Sequence, residues 1–219
     1  MADKINKAVI FDLDGTITDT LADITDAMNE ALVKFGFNRI TEEKMKDNLG
    51  GTTEDIVKLS IGREIDEKTL TSCAEFYSRK YIENGSPKTT IFDGMKEVVA
   101  EIKNRGYKVA VLSNKPYVEM QPLLERVIKP VGFDLVVGVS DTVKPKPNPE
   151  ATLDILEKWG VASENAYFVG DGESDALTSK NANIKYVAVL WGNRTKEFLS
   201  GYGAKIFAEK PQDLLEIIK

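Results

Sequence analysis

From Gly94 to the C-terminus, short apolar runs alternate with stretches of helical period, and the runs stop abruptly at polar residues. A helical stretch from about Gly94 to Arg105 leads through Gly106 into Lys108 to Leu112. A second, around Tyr117 to Val127, leads to Phe133 to Val139. A third, opened by Asn148-Pro149 and closed by Trp159-Gly160, precedes Ala166 to Val169. Tyr186 to Leu190 and Lys205 to Phe207 are further runs, and a last helix starts at Pro211. The chain opens the same way, with Lys-Ala-Val-Ile-Phe (Lys7 to Phe11) running straight into Asp-Leu-Asp-Gly. Continuous apolar runs of this length suit strands buried on both faces. Strands alternating with helices make a parallel sheet covered on both sides, with ligand groups at the strands' carboxyl ends. The expected fold is α/β, a Rossmann-like three-layer core.

One block breaks the alternation. Leu21, Ile24, Met28, Leu32 and Phe35 recur at helical spacing before Gly36. Further helical stretches start near Thr41, Thr53 and Asp66, and the last carries Leu70, Cys73, Phe76 and Tyr77 on one side before Asn84-Gly85-Ser86-Pro87. Residues from about 19 to 88 read as purely helical, contributing no strand. The expected organisation is a core domain of residues 1–18 and 86–219 with an inserted all-helical cap domain, 19–85, sitting over the strand ends.

Composition narrows the function. With 29 basic and 35 acidic side chains the net charge is −6, so no overall positive field is available to hold nucleic acid or an anionic membrane. Met1-Ala2-Asp3-Lys4 and the short run after it fit neither a signal peptide nor a membrane span, and the expected location is the cytoplasm. Cys73 is the single cysteine and lies in an apolar helical stripe, which suits a buried core thiol. The chain has no histidine, so the commonest general base and metal ligand is missing and acid–base chemistry falls to carboxylates, lysine, tyrosine or cysteine.

Polar residues of particular kinds follow the strands: Asp12 and Asp14 the first, Ser113 the second, Lys144 the loop beyond the third, Asp171 and Asp175 the fourth. In a parallel sheet these converge on one edge. As a set they supply what phosphoryl transfer needs: a nucleophile, an acid–base group, a hydroxyl and an ammonium for the phosphate oxygens, and carboxylates for a hard divalent cation. Gly15 allows the chain to turn away after the aspartates. Glu173 reads as a solvated acid.

Four segments, in this order, resemble the haloacid dehalogenase superfamily. They are Asp12-Leu13-Asp14-Gly15-Thr16, Val-Leu-Ser-Asn-Lys ending at Lys115, Lys144-Pro-Lys-Pro-Asn-Pro ending at Pro149, and Gly170-Asp-Gly-Glu-Ser-Asp ending at Asp175. The likeness spans essentially the whole chain and is greatest to the phosphoglycolate phosphatase-like branch. It implies a magnesium-dependent phosphatase of small phosphorylated metabolites, monomeric or homodimeric. Asp12 would be the nucleophile that becomes an aspartyl-phosphate, and Asp14 the acid and then base. Ser113 and the Asn114 amide would bind the phosphoryl oxygens. Lys144 would neutralise them, being the lysine directly before the first proline, with Lys146 as the competitor. Magnesium would sit on Asp12, the Asp14 carbonyl and Asp171. Asp175 would hold a metal-bound water, orient Lys144, or stabilise the helix start near Ser174 by its charge. The loop Gly50-Gly51-Thr52 corresponds to one that reaches toward the leaving group in related enzymes, and reads equally as a plain interhelical turn.

Other readings are weaker. The dehalogenase branch lacks the second aspartate. A phospho-acceptor signalling module would be poorly served by Asp14, poised to activate water two residues from the phosphorylated group. Related sugar phosphomutases usually have valine where Thr16 stands and use a cap histidine. Pyrophosphate, nucleoside monophosphates and sugar phosphates are alternative substrates.

Overall fold

The computed structural model describes residues 6–219, so the opening Met1 to Lys4 segment lies outside the described residues. The elements run β1 (Lys7–Phe11), β2 (Thr18–Asp19), α1 (Leu21–Lys34), α2 (Glu42–Asn48), α3 (Thr53–Ile61), α4 (Glu67–Asn84), β3 (Thr90–Ile91), α5 (Met95–Asn104), β4 (Tyr107–Pro116), α6 (Tyr117–Leu123) and β5 (Leu135–Val139). They continue with α7 (Glu150–Trp159), β6 (Ala166–Gly170), α8 (Glu173–Asn181), β7 (Lys185–Val189), α9 (Lys196–Gly201), β8 (Phe207–Ala208) and α10 (Leu214–Ile217).

Six strands form one parallel sheet in the order β5-β4-β1-β6-β7-β8. Alternate side chains go to opposite faces, as the pleat requires. Val9 and Phe11 join Val109, Val111 and Val169 against α5, α6 and α10, while Ala8 and Ile10 join Ala110, Leu112 and Phe168 against α7. Both faces are thus covered, which is why the strands lack polar alternation. β1 lies at the middle with β4 and β6 on its two sides, so the polar groups that follow these three strands start only about 5 Å apart.

Helices α1 to α4 pack on one another around Met28, Leu32, Met45, Val57, Cys73, Tyr77 and Tyr81, a cluster separate from those on the sheet. Their ends are set by capping side chains. Thr52 accepts from Asp55 N, Asp66 from Thr69 N, and Gly85 closes α4 at φ +70°, where a side chain would be strained. Cys73 is buried here, its thiol pushed up to about 11 by burial, as suits a core thiol rather than a nucleophile.

The structure departs from the sequence reading at three points. A ribbon without a counterpart in the sequence reading bounds the helical block: Thr18–Asp19 pairs antiparallel with Thr90–Ile91 where the chain leaves the sheet region and returns to it, and every element between them is a helix. The helix expected to run from Tyr117 to Val127 stops at Leu123 and continues as a π turn, Leu124–Ile128. Pro122 has no N–H to give the preceding turn, and the ladder slips. The short helix α9, capped by Thr195, was not anticipated, since six residues carry too little periodicity to register.

Candidate active site

β1 ends at Phe11, and the Asp12 N–H still donates to Val169 O of β6, which anchors the residue at the sheet's edge. Gly15 then turns at φ +81°, in space that a Cβ would dispute with Asp171 Oδ2 at 2.3 Å. Only glycine lets the loop after β1 lie this close to the carboxylate that follows β6. Asp171 is oriented through both oxygens, Thr16 Oγ1 donating to Oδ1 (3.2 Å) and the Asn193 N–H to Oδ2 (2.7 Å). Between Leu112 and Pro116 the β4 pairing with β5 shifts register, so Ser113, Asn114 and Lys115 sit in an irregular stretch at the sheet edge, where such a bulge re-aims side chains.

The lysine facing Asp12 is Lys146, not Lys144. Lys146 Nζ lies 2.7 Å from Asp12 Oδ1 and 2.6 Å from Asp175 Oδ1, and its side chain is 2% exposed. Lys144 is 63% exposed and pairs with Glu150 on the surface. Asn114 accounts for the difference: its Oδ1 accepts from Lys146 N (2.6 Å) and its Nδ2 donates to Lys146 O (3.1 Å), turning that residue inward. The Asn114 side chain therefore knits the β5–α7 loop to β4. Asp175 accepts from Lys146 rather than from the expected Lys144, and also from Gly172 N at the start of α8 (3.0 Å).

Asp14 points away from this group. Its Oδ1 accepts from Thr20 Oγ1 and from Lys115 Nζ, both at 2.6 Å, and Lys115 also donates to Tyr81 OH of α4 (3.0 Å). For Lys115, as for Lys146, burial pulls the pKa down but the adjacent carboxylates outweigh it, and both ammonium groups are held above their ordinary value.

Asp12, Asp171 and Asp175 present carboxylate oxygens within 4.8 Å of one another. This all-oxygen donor set fits a hard divalent cation. Lys146 already balances Asp175, and the contact of its ammonium with the buried Asp12 Oδ1 is an ion pair outside hydrogen-bond geometry. Among the described residues that oxygen has no hydrogen-bond partner. Burial, reinforced by Asp175, pushes Asp12 up to about 7; burial, reinforced by Asp12, pushes Asp171 up to about 6. Carboxyls whose pKa is higher folded than unfolded bind protons preferentially in the folded state. Their stabilisation is complete below about pH 4 and is lost as pH rises through 6 to 7. In metal-free buffer the melting temperature should fall by on the order of 5 °C between pH 5 and pH 8 from this source, and added magnesium should restore it at pH 8 far more than at pH 5. A magnesium-induced shift equal at both pH values would count against cation binding at these carboxyls.

The helical block closes over the site. A cavity of about 60 Å³ is lined on the sheet side by Asp12, Asp14, Ser113, Lys115 and Asp171, and on the other by Ile24, Leu49, Gly50, Gly51, Thr53 and Tyr77. Thr52 is not at the cavity wall: its hydroxyl is engaged with Asp55 in the cap of α3. Gly50 O accepts from Asn114 Nδ2 (3.3 Å), and Glu119 of α6 accepts from Thr53 (3.2 Å) and Ser78.

Arg194, which the sequence reading missed, makes the strongest tie. It donates to the carbonyls of Lys46 (2.7 Å), Asp47 (3.2 Å) and Leu49 (2.6 Å) at the C-terminal end of α2, and pairs with Glu173 (3.2 Å). Glu173 is thus engaged rather than solvated. The available signal was Gly192-Asn193-Arg194 after the apolar run of β7, a polar strand end like the other four. Arg194→Ala should speed amide exchange over residues 46–52 and raise KM for a small phosphate ester about tenfold, as removing hydrogen bonds to a charged group predicts. Unaltered exchange in that segment would show that Arg194 does not hold it.

Residues 9–189 match the family model described as haloacid dehalogenase-like hydrolase. The chain is 26% identical over 218 residues to the phosphoglycolate phosphatase of Vibrio parahaemolyticus, covering 97% of this chain and 96% of that protein. It is 29% identical over 186 residues to the phosphoglycolate phosphatase of Aquifex aeolicus, covering 85% of each. A solved structure from Lactobacillus delbrueckii subsp. bulgaricus superposes with a TM-score of 0.90 at 29% identity, covering 98% of this chain and 99% of that one. The fold, the ordered carboxylates and these likenesses agree, and the chain belongs to the haloacid dehalogenase-like hydrolase family.

Proposed function

We propose that the protein is a magnesium-dependent phosphatase of small phosphorylated metabolites, of the phosphoglycolate phosphatase type, working through an aspartyl-phosphate on Asp12. The observation that supports this most is Asp12 itself. It is a carboxylate at the end of the central strand, 13% exposed, with Oδ1 2.7 Å from the Lys146 ammonium and its oxygens close to those of Asp171.

In this reading an Asp12 oxygen attacks phosphorus while Asp14 gives a proton to the departing alkoxide, and Asp14 then takes a proton from the water that hydrolyses the aspartyl-phosphate. Lys146, Ser113 and the Asn114 amide meet the charge on the phosphoryl oxygens. Asp12, Asp171 and the Asp14 carbonyl would hold magnesium, which when bound neutralises charge on the transferring group. Asp175 keeps Lys146 in place. Residues 19–85 act as a cap whose loop at Gly50 and Gly51 closes the site, moving on the ribbon formed by Thr18–Asp19 and Thr90–Ile91.

An assay of 2-phosphoglycolate, para-nitrophenyl phosphate, a hexose phosphate and pyrophosphate with magnesium tests the reading. Turnover of 2-phosphoglycolate should exceed that of the others and fall at least about 100-fold in excess EDTA, since three carboxylates would then crowd a dianionic substrate. Full turnover in EDTA with metal content verified as negligible would remove the cation from the mechanism, and no phosphate release from any ester would remove the phosphatase assignment.

A further inference from the structure

Two glycines flank Asp171, in the run Gly170-Asp171-Gly172 after β6. Crowding explains the first, since a Cβ at Gly170 would meet Asp175 Oδ2 at 2.2 Å. Glycine leaves the backbone conformationally free and adds no side chain to pack. A loop built this way keeps its shape only through bonds made to it from outside, yet it carries one of the carboxylates suited to hold the cation.

Tyr186 supplies such a bond. It lies on β7, opposite Phe168 of β6 in the parallel register. Its hydroxyl reaches past the end of β6 to the carbonyls on both sides of Asp171, donating to Gly170 O at 3.0 Å and to Gly172 O at 3.3 Å. One phenolic proton is shared between the two acceptors. Burial, and then the nearby carboxylates of Asp175, Asp171 and Asp12, push the Tyr186 pKa well above the ordinary tyrosine value, so the hydroxyl keeps its proton and stays a donor. The other ties at this loop do different things. Thr16 and the Asn193 N–H aim the Asp171 carboxylate, and Asp175 takes up the Gly172 N–H. Tyr186 spans the residue itself, fixing the backbone from which that carboxylate projects.

Hard cations differ in how much they ask of such a ligand. Magnesium demands near-ideal octahedral geometry with oxygens at about 2.0–2.1 Å, whereas calcium takes about six to eight oxygens at about 2.3–2.6 Å in flexible arrangements. A carboxylate free to drift by roughly a few tenths of an ångström therefore costs magnesium more than calcium.

Resting on the cation site of the phosphatase reading, we propose that Tyr186 is a positioning residue that clamps the Gly170–Gly172 backbone, holds Asp171 where magnesium needs it, and so sets the preference of the site for magnesium over calcium. It acts through Asp171 and is not itself a ligand.

The test is Tyr186→Phe, which removes the hydroxyl and keeps the ring against Ala188, Leu199 and Ala204. Cation binding is read from the rise in melting temperature with magnesium or calcium concentration, in chelator-stripped protein at pH 8, so the readout needs no turnover. Wild type should bind magnesium more tightly than calcium. In the variant the magnesium Kd should rise about tenfold, the low end of the loss that follows removal of a group orienting a metal ligand, while the calcium Kd should change by less than about threefold. The magnesium concentration giving half-maximal hydrolysis of para-nitrophenyl phosphate should rise by the same factor, and excess magnesium should recover the rate. Tyr186→Met, an adaptable apolar replacement, gives the same comparison should the phenylalanine variant fail to fold. Magnesium and calcium constants that rise together, constants that do not move, or a wild type that prefers calcium would overturn the role of Tyr186 and leave the phosphatase reading standing. Wild type that binds neither cation would instead overturn the cation site beneath it, and cation binding without phosphate release from any ester would overturn the phosphatase reading while leaving the clamp intact.

Discussion

Asp12→Asn should lower turnover of any phosphate ester by at least about 10⁴-fold and form no covalent intermediate, because an amide is a poor nucleophile toward phosphorus and a poor cation ligand. Asp14→Asn should behave differently. With para-nitrophenyl phosphate, whose leaving group departs without protonation, the first step survives in that variant. The second step is slowed on the order of 10²- to 10⁴-fold for want of a base, so phosphoenzyme accumulates. Rapid acid quench followed by peptide mass measurement should find one added phosphoryl group, on Asp12, in the Asp14 variant alone. The separation has a structural basis: Asp14 faces Lys115 and Thr20, away from the Asp12, Asp171 and Asp175 group, so its loss should leave the phosphoryl site largely intact. Near-normal turnover by Asp12→Asn, or a label on Ser113, would sink the assignment.

The second large effect distinguishes two lysines two residues apart. Lys146→Met should lower kcat on the order of 10³-fold, the loss typical when a preorganised group facing transition-state charge is removed. It should also destabilise the protein by about 3–5 kcal/mol, because Asp12 and Asp175 are then left buried without their shared counterion. Lys144→Met should change kcat and stability little, since an exposed pair such as Lys144 with Glu150 contributes at most about 1 kcal/mol. Parallel steady-state kinetics and chemical denaturation of the two variants check this, and equal losses in kcat would contradict the placement of Lys146 against Asp12.

The stability effect also bears on how the site tolerates its own charge. Three carboxyls lie within a few ångströms, and burial raises the pKa of each, so holding all of them ionised is costly in the folded protein. One lysine balances part of this charge, and a divalent cation is suited to balance the rest.

Much of this protein was legible in its sequence because the relevant physics is local. An apolar run that stops at Asp12 or Asp171 reports a buried strand and its end, and alternation with helices suffices to imply a parallel sheet with those ends on one edge. Thr52 with Asp55, Asp66 with Thr69, and Gly85 report helix ends through bonds a few residues long. What the tertiary structure alone decided depends on contacts distant along the chain. Lys144 and Lys146 both precede a proline, and nothing local distinguishes them; Asn114, 32 residues earlier, turns Lys146 inward. The capture of the end of α2 by Arg194 and the approach of Lys115 to both Asp14 and Tyr81 likewise join residues between 34 and 148 positions apart. Such pairings leave no periodicity in the sequence, because a long charged side chain reads as solvent-exposed until a partner from another element removes it from water.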